Sequence, residues 1–263
     1  MTVRAWQALT TTDFSALDPE RTVAVLPVSA IEQHGPHLPL GTDALINAGL
    51  IAALGQRSVA ADILLLPVQT VGHSVEHRSF AGTLSLNAET LLRSWLCLAE
   101  SVAAAGLRKL VLLNTHGGNN ALVHVAALQM RASYNLLAVR ANYGALGCPD
   151  GLFSPDELRD GLHGGEVETS LMLHLHPELV RRDRLVDFNG LPGRMAKTNR
   201  YLRPEKPVGF GWMSEDLHAS GALGNAAAAD AQRGARLLAH QADALAGLLE
   251  EVAATPLAIL VQR

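Results

Sequence analysis

Short apolar runs alternate along the chain with longer amphipathic stretches, the pattern of strands separated by crossover helices. Thr22–Val28 (TVAVLPV) is almost unbroken in apolar character and reads as a strand buried on both faces. Asp43–Leu54 follows as a helix and Ile63–Val68 as a second strand. Asn87–Ala105 reads as a longer helix, with Leu91, Leu92, Trp95, Leu96 and Leu98 at helical spacing. Lys109–Asn114 (KLVLLN) is a third strand, Asn120–Ser133 a helix and Asn135–Ala141 a fourth strand. Cys148–Asp160 and Leu185–Val208 lack either period and are expected to be irregular, whereas the alanine-rich Asn225–Val252 is expected to form one long helix. Alternation of this kind requires crossover connections, and therefore a mostly parallel sheet covered on both faces. No repeat or linker divides the chain. The expectation is an α/β protein, one three-layer α/β/α domain over residues 1–263.

Composition adds exclusions. Hydrophobic residues make up 48% and charged residues 17%, as in ordinary globular proteins. A net charge of −4 without a Lys/Arg cluster argues against a nucleic-acid surface. The densest basic stretch, Arg181-Arg182-Asp183-Arg184, reads as solvated. No uninterrupted apolar run reaches the roughly 18 residues of a membrane span, and Met1–Ala16 lacks the basic-then-apolar pattern of a signal peptide. A cytoplasmic protein with no membrane partner is expected. Cys97 and Cys148 are too few and too far apart for a disulfide framework or a thiolate metal site.

The chemistry concentrates after the strands. His34 and His37 follow the first strand within Glu32-Gln33-His34-Gly35-Pro36-His37, and Asp43 closes that loop. His73 and His77 follow the second strand, and His116 follows the third in Asn114-Thr115-His116-Gly117-Gly118-Asn119. His163 opens another Gly-rich turn, His163-Gly164-Gly165-Glu166-Val167-Glu168. In open parallel sheets, ligands bind outside the carboxyl ends of the strands, the edge to which these loops belong. Any one of these residues has a bland reading as a cap or a turn residue. Four strand-end loops that each carry a His or a carboxylate favour a metal site. Carboxylates mixed with imidazoles and no thiolate suit catalytic Zn, Mn or Fe(II), and Asp43 is a carboxylate able to bridge two cations.

These motifs resemble the creatininase (creatinine amidohydrolase) family. The resemblance rests on Glu32-Gln33-His34-Gly35-Pro36-His37-Leu38-Pro39 with Thr42-Asp43, on His116-Gly117-Gly118-Asn119, and on His163 with Glu168-Thr169-Ser170. Glu76-His77 with Gly82-Thr83-Leu84-Ser85, and Ser220-Gly221 to Gly224, extend it across residues 22–250. It implies that Glu32, Asp43 and His116 hold one divalent ion and that His34, Asp43 and Glu168 hold a second. It also implies that His163 is the acid/base residue, and that the protein is an α/β/α homo-oligomer, a hexamer. Creatinine hydrolases carry Tyr-Glu where this chain has Gly117-Gly118, and they place tryptophans around the substrate ring, whereas this chain has only Trp6, Trp95 and Trp212. Those departures imply another small amide, and relatives with His-Gly-Gly-Asn include a deformylase and a peptidase acting on a small peptide.

The expected reaction is hydrolysis of the C–N bond of a small amide or cyclic amide by a metal-activated water, with His163 moving protons and Glu166 a second candidate for that work. The rivals are a metal-dependent sugar isomerase or lyase and a non-catalytic metal-binding protein. A serine or cysteine hydrolase is disfavoured, because the chain has no Gly-x-Ser-x-Gly elbow and neither cysteine is flanked by a His.

Overall fold

The computed structural model describes residues 3–261. Its main sheet has five strands: β1 (Val3–Ala5), β2 (Thr22–Val28), β3 (Asp62–Leu65), β4 (Lys109–Asn114) and β5 (Leu137–Asn142). Their order is β1-β3-β2-β4-β5, and every neighbouring pair is parallel. The crossovers run through α1 (Thr42–Leu54), α2 (Ala88–Ala104) and α3 (Asn120–Tyr134). After β5 come α4 (Pro155–Asp160), α5 (Glu166–Leu175), β6 (Asp187–Phe188), α6 (Leu191–Thr198), α7 (Ser214–Leu217), β7 (Gly224–Asn225) and α8 (Ala231–Ala254). β6 and β7 pair antiparallel as a small second sheet.

The central strands are buried on both faces, which is why they read as continuous apolar runs. Successive side chains alternate across the sheet. Val23, Val25, Val111 and Leu113 face a core shared with α1, α5 and α8, while Ala24, Leu26, Leu110 and Leu112 face the core under α2 and α3. Helices thus cover both faces of a mostly parallel sheet in a single domain, as the alternation predicted.

Several boundaries differ, each for a local reason. The second predicted strand stops at Leu65 because Pro67 has no N–H to donate to the ladder, although Gln69 resumes pairing with Pro27. Asn135 caps α3 in the left-handed region at φ 54 rather than opening β5. The segments expected to be irregular contain α4, β6 and α6. α4 carries its own start signal: Ser154 accepts from the Glu157 N–H, and Pro155 occupies the first turn. The long terminal helix begins only at Ala231, where Asp230 accepts from the Arg233 N–H, and the preceding Gly224–Asn225 belongs to β7. β1 and α5 were not anticipated.

α5 is fixed by α8. A Cβ added at Gly234 on α8 would lie 1.9 Å from the Ser170 carbonyl oxygen of α5, a backbone contact that no side-chain rotation relieves. Gly234→Ala therefore forces the two helices apart. The expected cost is about 1–3 kcal/mol in urea unfolding. Unchanged stability would show that the helices slide freely.

Candidate metal centre

The loop after β2 is shaped to turn its side chains inward. The Glu32 N–H donates to Leu40 O across the loop at 2.9 Å, and Gly35 takes a positive φ of 71, where a Cβ would also meet Ala222 at 2.7 Å. The Gln33 side chain locks the turn: its Oε1 accepts from the Gly35 N–H, and its Nε2 donates to Gly221 O and to His77 Nδ1. Asp43 lies in the first turn of α1, and its carbonyl accepts from Thr115 Oγ1 at 2.9 Å. His116 follows β4, and Glu168 lies in the first turn of α5.

These loops bring Glu32, His34, Asp43, His77, His116, His163 and Glu168 into one cluster, and all but Glu168 are buried. His116 Nδ1 lies 3.2 Å from Glu32 Oε1 and 3.1 Å from Asp43 Oδ2. His34 Nε2 lies 3.3 Å from Asp43 Oδ1 and 3.9 Å from Glu168 Oε2. His163 Nδ1 lies 3.6 Å from Glu32 Oε1, and its ring is sandwiched between those of His34 and His77 at 4.1 and 4.3 Å.

The far nitrogens decide what these contacts are. His34 Nδ1–H donates to Glu32 O, His116 Nε2–H to His73 O and His163 Nε2–H to Gln33 O. A backbone carbonyl only accepts, so in the neutral ring each nitrogen facing the carboxylates carries a lone pair. Lone pairs and carboxylate oxygens repel at 3.1–3.6 Å unless a proton or a metal cation lies between them. Glu32 Oε2, His34 Nε2 and Asp43 Oδ2 are buried and make no hydrogen bond among the described residues. A donated far N–H, an aimed lone pair and an orphaned carboxylate oxygen make up the ligand geometry of a divalent metal, and the donors fit one. Two of the candidate triads are Glu32–His34–Asp43 and His34–His163–Glu168.

His77 is a different case. Gln33 Nε2 donates to its Nδ1, so its proton sits on Nε2 and points at Glu32 Oε1, 3.5 Å away. It braces Glu32 and turns an N–H, not a lone pair, toward the cluster. Glu168 is also braced, accepting from Tyr143 Oη at Oε1 and from the Gly164 N–H at Oε2.

Electrostatics agree with the geometry. Burial disfavours a charged ring at His34, yet Asp43, Glu168 and Glu32 raise it to about 9. Glu32 and Asp43 likewise hold His116 well above the ordinary imidazole value against its burial. A field of that sign attracts any cation. Burial, followed by the neighbouring His34, instead lowers His163 and keeps it neutral.

The cluster floors a cleft of about 410 Å³ whose walls include Glu76, Leu158, Arg203, Lys206 and Trp212. Of the residues singled out from sequence, Glu32, His34, Asp43, His116, His163 and Glu168 converge there. Glu166 does not. Although it is adjacent in sequence to the His163 turn, its carboxylate pairs with Arg233 of α8 on the far side of α5, so nothing in the geometry gives it a proton to move. His37 also turns away, stacking on Phe188 and donating through Nε2 to Gly164 O. Sequence reasoning passed over the parts played by Glu76, His77 and Tyr143, and the motif Glu76-His77 was the available signal for the first two.

His37 generates a pH prediction. Burial lowers it from 6.5 to about 4, so between those values the unfolded chain binds a proton that the folded chain does not. Its contribution to stability is complete above pH 6.5 and is lost as pH falls toward 4. His37→Asn should flatten this part of the stability–pH curve in urea titrations; an unchanged slope counts against the assignment.

Carboxylates and imidazole lone pairs gathered at the C-terminal edge of a parallel sheet form the kind of site found in metal-dependent hydrolases. The sequence profile of the creatininase family, described as creatinine amidohydrolase, matches residues 7–249. The mycofactocin precursor peptide peptidase of Mycobacterium ulcerans (strain Agy99) is 34% identical over 225 residues, covering 83% of this chain and 81% of that protein. The creatinine amidohydrolase of Pseudomonas putida is 32% identical over 186 residues, covering 63% and 68%. A solved manganese creatininase is 26% identical with a TM-score of 0.75, covering 94% of this chain and 97% of that one. A mutant creatininase of zinc–zinc type, also 26% identical, has a TM-score of 0.74 and the same coverage. With that profile spanning nearly its whole length, the chain belongs to the creatininase family and is a hydrolase of that family.

Proposed function

We propose that the chain hydrolyses an amide bond of a short peptide or similarly small amide, using two divalent cations at the C-terminal edge of the sheet. One observation carries the reading: three imidazoles, each anchored through its far nitrogen by a main-chain oxygen, turn the other nitrogen onto buried carboxylates, a donor set that divalent cations fit. Glu32, Asp43 and His116 would hold one ion, and His34, Asp43 and Glu168 the other. When bound, such ions lower the pKa of water towards about 7 and polarise the substrate carbonyl. His163, kept neutral by burial, takes a proton and passes it to the leaving nitrogen. The products are a carboxylate and an amine.

The substrate reading rests on the cleft and on the relatives. A volume of about 410 Å³ falls in the range of roughly 300–1,000 Å³ that encloses drug-sized ligands, more than a single five-membered ring fills. Trp212 is the one tryptophan on its wall, and its Nε1–H is engaged by Glu205. Phe153 is buried in the core and Tyr143 is tied to Glu168, so neither serves as a second flat wall. Two of the relatives described above are named for a peptide and for creatinine, and the cleft favours the first.

Elemental analysis of gently purified protein should find about two divalent ions per chain. Asp43→Ala should lose both together along with activity, because one carboxylate serves both sites. His37→Ala should keep both. A wild type that saturates at one ion, or an Asp43→Ala protein with wild-type metal content, would end the bridged two-ion scheme.

Creatinine should be a poor substrate, with kcat/KM below the usual lower enzyme range of about 10⁴ M⁻¹ s⁻¹, while some member of a panel of short peptides and formamides is turned over faster. Steady-state rates decide it. Efficient creatinine hydrolysis, or turnover of sugars with no amide cleaved, would overturn the reading.

A further inference from the structure

Beside the main cleft lies a second cavity of about 340 Å³, walled by Asn114, Asn120, Asn142, Tyr143 and Lys206. It shares His116, Gly117, Asn120 and Lys206 with the main cleft, so a molecule seated over the metal ligands extends directly into it. A Cβ added at Gly117 would meet nothing within 4 Å, so that passage is open.

Hydrogen bonds fix the polarity of this cavity. Asn114 and Asn142 are the last residues of β4 and β5 and are partners in the sheet register. Asn114 Oδ1 accepts from the His116 backbone N–H at 3.2 Å, and its Nδ2 donates to the His116 carbonyl at 2.7 Å. Each backbone group has a single role, so the orientation of this carboxamide is determined. Its Nδ2 also lies 3.0 Å from both Asn120 Oδ1 and Asn142 Oδ1, so both of those side chains turn an oxygen toward it. Their NH₂ groups consequently point away from Asn114, and neither donates to any of the described residues. Lys206 adds an ammonium on the exposed loop and makes no ion pair among them. Among the described residues, no Asp or Glu lines this cavity.

We infer that the side cavity is an anion subsite that receives a carboxylate of the substrate distant from the bond being cut. This deepens the proposed function and rests on it. One ammonium and two amide NH₂ groups match a singly charged, planar carboxylate. A phosphate carries −1.5 to −2 at neutral pH, and a single lysine does not balance that.

The test uses zinc-loaded full-length protein and three probes in calorimetry: succinate, its monoamide succinamate and inorganic phosphate. Succinate should bind about tenfold more tightly than succinamate, the effect expected of hydrogen bonds to a charged group. That advantage should vanish in Asn142→Asp, which keeps the oxygen that Asn114 needs but replaces the NH₂ with a negative oxygen. It should shrink in Lys206→Met, which keeps the stem and removes the charge. Unchanged zinc content and melting temperature confirm that both variants are folded. Equal binding of succinate and succinamate overturns the subsite. So does an advantage that survives both substitutions, which would place the carboxylate on the metal. Phosphate binding more tightly than succinate, and weakening in the same variants, overturns the assignment to a carboxylate. A panel of amides that are all refused while the succinate advantage and its loss in the variants persist strikes only the hydrolase reading and supports the subsite.

Discussion

The structure depends on buried negative charge that fixed imidazoles hold in one place. Glu32 and Asp43, both buried, are brought against the inward nitrogens of His34, His116 and His163, and each ring is held by a backbone carbonyl at its other nitrogen. A buried carboxylate without a partner costs several kcal/mol, so such an arrangement persists only where the surrounding structure over-determines it. Here the restraint comes from backbone. Each imidazole is set by a main-chain oxygen of a loop that leaves the same edge of the sheet.

That edge is assembled from both ends of the sequence. β2 and β4 are adjacent in the sheet, which places the Glu32–His34 loop beside His116. α5 enters later in the chain and is clamped by the close approach of Gly234 to Ser170, which sets the height of Glu168 above the sheet. β6 and β7 form a small separate sheet that backs the His37 face through Phe188. Stability and site geometry are thus the same set of contacts: loosening α5 against α8 also moves the Glu168 carboxylate of the cluster.

Much of this was legible in the sequence because both-face burial writes itself into composition. Thr22–Val28 and Lys109–Asn114 are found within the bounds read from their apolar runs. The short edge strand β1 has no such signature, since three half-buried residues carry no period. α5 was hidden because its sequence opens with a glycine pair that reads as a turn, while its helical start depends on contact with α8. In the site, residue type together with strand-end position pointed to Glu32, His34, Asp43 and His116. What that reasoning could not supply was direction. Glu166 and Glu168 are two residues apart on one helix, a rotation of about 200°, so one faces the cleft and the other faces Arg233. The placement of His77 as the group that holds Glu32 depends on the orientation of Gln33, which only the folded loop determines.

Gly118 shows how hard such a pocket is to convert. A Cβ there would lie 2.4 Å from Glu76 Oε1, 2.4 Å from the His73 carbonyl and 2.6 Å from His116 Nε2. The Glu76 side chain is free to rotate aside, but His73 O is main chain and is also the acceptor that holds the His116 ring. An acidic side chain at this position, as in the Tyr-Glu motif of creatinine hydrolases, cannot be installed by one substitution without unseating the ring beside it. The conversion is therefore a two-step problem of geometry: the backbone at His73 has to withdraw before position 118 can carry any side chain.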